Sequence, residues 1–151
     1  GVFPDKSSLY NTAMTYRVQY KYANGVELVV ESGGTSLRFE GTDGWIGNDG
    51  WRKPLKASSQ KILDSVIGPD ETHLYTCADG EHRNCLDCVR SRKLPYFPAE
   101  IGHRCATVLH IGNISMRLRR KLKWNPDKEE FVADAQADAM RSEPMRKPWT
   151  L

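Results

Sequence analysis

Hydrophobic and polar positions alternate through the first part of the chain. In "TYRVQYKY", Tyr16, Val18, Tyr20 and Tyr22 fall on one side and Thr15, Arg17, Gln19 and Lys21 on the other, the period of two of a half-buried strand. In "VELVVES", Val26, Leu28 and Val30 alternate with Glu27, Val29 and Glu31. A two-residue turn at Asn24-Gly25 would set Tyr22 opposite Glu27 and send the two apolar sets to opposite faces. A loop of Ala23, Asn24 and Gly25 instead pairs Tyr22 with Val26, Tyr20 with Leu28 and Val18 with Val30. Gly25 is then the left-handed residue of a bulge. "SLRFEGTDGWIG" predicts a second hairpin, with Leu37 and Phe39 pointing inward and a turn at Asp43-Gly44 leading into Trp45.

Residues 47–80 carry no clean period. "GNDGWRKPLKAS" predicts a turn and a short strand, and "SSQKILDSVIGPDE" an irregular connection or one helical turn before Pro69. Helical spacing follows. Asp79 is the expected N-cap, its carboxylate accepting from first-turn amides, of a helix running through His82 to about Arg92 and ended by Pro95. A longer helix begins after Pro98 and runs through "AEIGHRCATVLHIGNISMRLRRK", with Ile101, Cys105, Val108, Leu109, Gly112 and Met116 as its expected buried stripe. Asn125-Pro126 breaks that pattern, "EEFVADAQADAMR" predicts a short strand and a short helix, and "PMRKPWTL" closes the chain as a proline-punctuated tail. Strands first and helices later predict an α+β fold with antiparallel pairing.

The 151 residues suit one domain, and a chain of that length buries roughly two thirds of its unfolded surface. Its apolar runs fall far short of the roughly 20 residues that cross a bilayer, so a soluble chain with no membrane partner is expected. Twenty-two Lys and Arg against nineteen Asp and Glu leave +3, too balanced to argue for nucleic acid by field alone. No basic and then apolar leader opens the chain, which leaves location open with the cytoplasm as default. The start "GVFPDKSS" lacks Met, and a piece of a longer protein is expected.

Several stretches invite a chemical reading. "HRNCLDCVRSRK" places Cys85 and Cys88 two residues apart, but on a helix they stand about 60° from each other and His82 about 120° from Cys88, so the three cannot converge on one ion. Cys85 also lies more than a turn inside the helix, away from the N-terminal amides that activate a redox thiol. Core or half-buried thiols are expected, with no metal. "GTDGWIGNDGW" is glycine-rich, yet it holds a strand rather than opening a helix, so it reads as two turns and not a phosphate loop. "RLRRKLK", residues 117–123, reads as a solvated helix end favoured by the dipole, ahead of a nucleic-acid patch. His103, Thr107, His110, Asn113 and Arg117 form a polar stripe on the long helix.

Longer strings carry a resemblance. "LYNTAMTYRVQYKYANGVELVVES", "LRFEGTDGWIG", "HLYTCADGEHRNCLDCVRSRKLPYFPAEIGHRCATVLHIGNISMRLRRKLKWNPDKEEF" and the closing "PMRKPWTL" resemble the C-terminal part of bacterial Gfo/Idh/MocA oxidoreductases, in order over nearly the whole chain. The resemblance implies one domain over residues 1–151, the later part of a substrate-binding and oligomerisation domain. Its largely antiparallel sheet would carry helices packed on one face and use the other for subunit pairing. It implies an N-terminal Rossmann domain binding NAD or NADP through G-x-G-x-x-G, a catalytic Lys in Glu-Lys-Pro and a later Asp-x-x-x-His. None of these motifs occurs in residues 1–151, so no catalytic, cofactor-binding or metal residue is assigned and no cofactor is expected on this chain. The expected partners are the Rossmann domain, a second copy through the sheet and a sugar, polyol or related hydroxy substrate. The residues set to approach it are "YNT", Tyr10, Asn11 and Thr12, with His103 and Arg104 of "GHR", as one polar edge; the other reading is that the polar face of the long helix merely meets solvent or hydrogen-bonds neighbouring loops. A free-standing binding or assembly module is the alternative.

Overall fold

A computed structural model describes residues 1–73 and 76–149. In chain order the elements are β1 (Arg17–Lys21), β2 (Glu27–Glu31), β3 (Leu37–Gly41), β4 (Gly44–Asn48), β5 (Lys56–Ala57) and α1 (Gln60–Leu63). There follow α2 (Gly80–Ser91), α3 (Ala99–Leu118), β6 (Trp124–Asn125), β7 (Glu130–Phe131) and α4 (Ala135–Asp138). Among the described residues all pairing is antiparallel, in three separate sheets ordered β1-β2, β3-β4-β5 and β6-β7. The fold is α+β, as its patterning predicts. Positions 74–75 of the weakly patterned stretch and 150–151 of the closing tail lie outside the described residues. The chain forms two compact units, residues 1–32 with 97–151, and residues 33–96.

In the first unit the β1-β2 hairpin has the predicted register, Val18 opposite Val30 and Tyr20 opposite Leu28. The Tyr22 amide donates to Val26 O at 2.9 Å, and Gly25 takes φ +86°, a conformation glycine adopts without a Cβ clash. The outward face is ionic, with Arg17 against Glu31 at 3.4 Å and Lys21 against Glu27 at 2.6 Å. The tyrosine face meets α3: a β-carbon on Gly112 would run into the Tyr20 hydroxyl and lie 3.4 Å from Val18 Cγ1. The glycine lets the helix come close enough to half-bury Tyr16 and Tyr20, while Tyr22 stays exposed.

The predicted stripe on α3 is only half right. Gly112 is buried and Val108 and Met116 are half-buried, but Ile101, Cys105 and Leu109 are exposed. Five-residue strands span about 17 Å and a 20-residue helix about 30 Å, so the hairpin reaches only the C-terminal half. The buried core of this unit forms on another side of α3, from Ile114, Phe131 and Ala137 with Ile111, Leu118, Leu122, Trp124 and Met140 packed against them. Trp124 and Phe131 meet edge to face, centroids 5.0 Å apart.

α3 also stops at Leu118, before Lys121, because Arg119 turns left-handed at φ +55°. The basic run is then divided between partners. Arg117 donates to Asn11 O at 3.1 Å and lies over the Phe3 ring. Arg120 forks onto Asp134, with Nη2 to Oδ1 at 2.8 Å, and reaches Gln136. Asp134 in turn caps α4 by accepting from the Ala137 amide at 3.1 Å. The Arg120 guanidinium above all, then that amide, holds the Asp134 carboxyl at about 2.

In the second unit the β3-β4 turn is Thr42-Asp43, with Gly41 paired to Gly44, one residue earlier than expected. Gly44 takes φ +138° and the place of its β-carbon is filled by Ser58 and Ile62, so glycine is needed inside the strand rather than in the turn. Leu37 and Phe39 do not point into a core; they are 57% and 63% exposed. On the opposite face Arg38 sits 4.4 Å over the Trp45 ring. The helical turn before Pro69 is α1, and the short strand is β5. α2 begins after Asp79 as predicted, but the Asp79 side chain makes no cap hydrogen bond. Its end is the left-handed Arg92, whose amide donates to Cys88 O at 2.8 Å, ahead of Pro95. No residue of α2 is buried. All four cysteines are free; Cys77 and Cys88 are half-buried, within the expectation of core or half-buried thiols, whereas Cys85 and Cys105 are exposed.

Candidate functional site

The polar stripe of α3 has a partner that the sequence pattern did not single out. β6 and β7 are joined by the four-residue loop 126–129. Asn125 Oδ1 shapes that loop by accepting from the amides of Asp127 at 3.0 Å and Lys128 at 3.2 Å. The last loop residue, Glu129, lies at φ +53°, where a non-glycine residue costs roughly 1–2 kcal/mol. Its carbonyl accepts from Arg141 Nη1, and Arg141 Nε pairs with Asp138 at 2.9 Å, so the segment after α4 fixes the turn.

From this position the Glu129 carboxylate reaches α3. Oε1 lies 2.7 Å from His103 Nε2 and 3.4 Å from Arg104 Nη1. Arg104 also donates from Nη1 to Pro126 O at 3.1 Å and from Nε to Glu100 at 2.7 Å. The His103 hydrogen bond above all, helped by the charges of Arg104 and Arg141, holds the Glu129 carboxyl below the usual carboxylate range. Glu100 is the main cause that pushes the Arg104 guanidinium up. Thr107 spends its proton on His103 O at 2.9 Å.

These groups rim an open cavity of about 430 Å³, within the size range of small-molecule sites. His103, Thr107, His110, Asn113, Glu129 and Arg141 supply its polar edge; Ile111, Ile114, Trp124, Phe131 and Met140 supply an apolar floor continuous with the core. The floor exists because Phe131 and Ala137 draw β7 and α4 against the same side of α3 that carries Ile114. The polar residues one helical step away are thereby left at the cavity mouth.

Of the residues expected to face a ligand, His103 and Arg104 come together at Glu129. Tyr10, Asn11 and Thr12 do not join them. They are exposed, and Asn11 meets α3 through Arg117, fourteen residues or about 21 Å beyond His103 along the helix. The two segments expected to form one polar edge thus stand at different ends of α3. Glu129 carries no sequence signal of its own, being one acid in the charged run "DKEE". Counting the loop between Trp124-Asn125 and Glu130-Phe131 would have found it.

The glycines at 41, 44 and 47 lie within or beside the β3-β4 pairing, and the next helix is the four-residue α1. No strand, glycine turn and helix N-terminus come together there to hold a pyrophosphate, so these residues do not fit NAD or NADP. Among the described residues no group of three or more His, Cys, Asp or Glu could hold a metal ion, and no helix is long and apolar enough to cross a membrane. A family model described as "Oxidoreductase family, C-terminal alpha/beta domain" matches residues 5–151. No curated protein and no solved structure matches the chain.

Proposed function

The chain belongs to the Gfo/Idh/MocA oxidoreductase family as its C-terminal alpha/beta domain, and from that membership we propose that it forms the substrate side of an NAD- or NADP-dependent enzyme acting on a sugar, polyol or related hydroxy compound. The single observation that carries this reading is the cavity above, where an apolar floor containing Trp124 and Phe131 meets a rim of two imidazoles, a hydroxyl, an amide, a carboxylate and a guanidinium. A polyhydroxylated ring has the matching chemistry, C–H faces that pack on aromatic surface and hydroxyls that donate and accept along the edge. His103 is the rim residue tied to the turn, and Arg104 beside it holds the same turn through Pro126 O and Glu129. Tyr10, Asn11 and Thr12 belong to the same proposal as an outlying segment that a larger substrate would reach.

Hydride acceptance and proton abstraction belong, in this reading, to the cofactor and to residues of an N-terminal Rossmann domain; residues 1–151 orient the substrate and shield its apolar face. A second copy of the chain, paired through the sheet, is part of the proposal. The experiment is a titration of the chain with myo-inositol and with glucose, followed by amide chemical shifts. Saturable shifts at Thr107, His110, Asn113 and Glu129 are expected. Saturation elsewhere, or none at either ligand, rejects the reading.

A further inference from the structure

Glu129 joins two features that do not ordinarily occur together. It is a non-glycine residue in left-handed backbone at φ +53°, and its carboxylate is the group that contacts both His103 and Arg104. Glycine would close the same loop with less strain, yet glycine would leave His103 Nε2 without its partner. Strained backbone of this kind persists where the side chain it aims has a task. The surroundings support an aimed carboxylate: Asn125 Oδ1 orders the loop and Arg141 holds the Glu129 carbonyl. The charged and titratable groups facing His103 across the site are Glu129 and Arg141 from beyond α3, with Arg104 and His110 on α3 itself.

We propose that Glu129 is a positioning residue for His103. Its left-handed backbone aims the carboxylate at Nε2, so the neutral imidazole keeps its proton there and offers Nδ1 as an acceptor for a ligand hydroxyl. A carboxylate on one ring nitrogen sets the role of the other. Among the described residues no hydrogen bond uses Nδ1, and His103 lines the cavity. The ligand part of this inference rests on the hydroxy-compound reading; the tautomer part does not.

The test is performed on the 151-residue chain without ligand, at alkaline pH, by long-range nitrogen–proton correlation of the histidine rings. The expected result is a single Nε2–H tautomer at His103 in the wild type and a mixture in Glu129→Gly, with Tm unchanged or raised because the left-handed strain is relieved. Glu129→Asn is the second variant, since asparagine tolerates the same backbone but is one methylene too short to reach the imidazole; it should give the same mixture. A mixture already present in the wild type, or the same single tautomer in both variants, overturns the proposal. A single tautomer that Glu129→Gly releases, together with no shift on adding myo-inositol, upholds the positioning role and removes the hydroxy-compound reading instead.

Discussion

The two compact units use the same local devices and reach different results. Each has an antiparallel hairpin of five-residue strands and a helix of at least three turns. The first encloses Ile114, Phe131 and Ala137; in the second the fully buried positions among the described residues are Gly47 and Gly50. Gly112 explains part of the contrast. It lets the tyrosine face of β1-β2 approach α3, whereas Gly44 and Gly47 admit Ser58, Ile62 and the Leu37 and Arg38 backbone, contacts that close loops and strands and leave Ile62 only half-buried. α2 leaves Leu86 and Val89 more than half exposed. A strand or helix pattern thus specifies an element, and a core needs a second element able to come close.

The largest effect that would sharpen this contrast is at Phe131. Phe131→Ala should lower the stability of the first unit by about 3 kcal/mol or more, while Leu86→Ala in the second should stay within about 0.5 kcal/mol. Chemical denaturation followed by fluorescence and circular dichroism compares them, and equal costs would break the distinction. Gly112→Ala should cost roughly 1–3 kcal/mol by overpacking against Tyr20, and adding Tyr20→Phe should return part of it; a neutral Gly112→Ala would mean the hairpin can move off α3 freely.

Acid should act on the first unit through Asp134. Its folded pKa of about 2 lies below its ordinary 3.8, so the Arg120 pair and the α4 cap contribute in full above pH 3.8 and are lost as pH falls from there to about 2. Unfolding midpoints measured across that window should fall more steeply for the wild type than for Asp134→Asn. Parallel curves would assign the acid response elsewhere. The smallest stability effect is expected at Phe39, where Phe39→Asp removes exposed apolar surface and leaves the fold intact. If β3 takes part in subunit pairing, sedimentation of that variant shifts toward monomer; an unchanged association constant excludes this face.

The β1-β2 hairpin was legible to the residue because alternation and loop length constrain one another: only a three-residue loop keeps Tyr20 opposite Leu28. Leu37 and Phe39 alternate just as cleanly, but alternation identifies a face and not what covers it. α2 ended at about Arg92 as expected, but the end of α3 was misplaced because Arg119 adopts the left-handed conformation usually marked by glycine. The same reason hid Glu129. His103 could be named from the helix pattern and Arg104 as its neighbour in "GHR", whereas their common partner depends on a loop conformation that its side chain does not announce.

The most direct measurement is the kinetics of His103→Ala in the oxidoreductase that carries this domain, with stability measured alongside. If the cavity of the first unit orients substrate hydroxyls, kcat/KM falls by about tenfold or more, the effect of losing one or two orienting hydrogen bonds, while the melting curve is unchanged. Unchanged kcat and KM in an equally stable variant would contradict the account and leave His103 a surface residue held by Glu129.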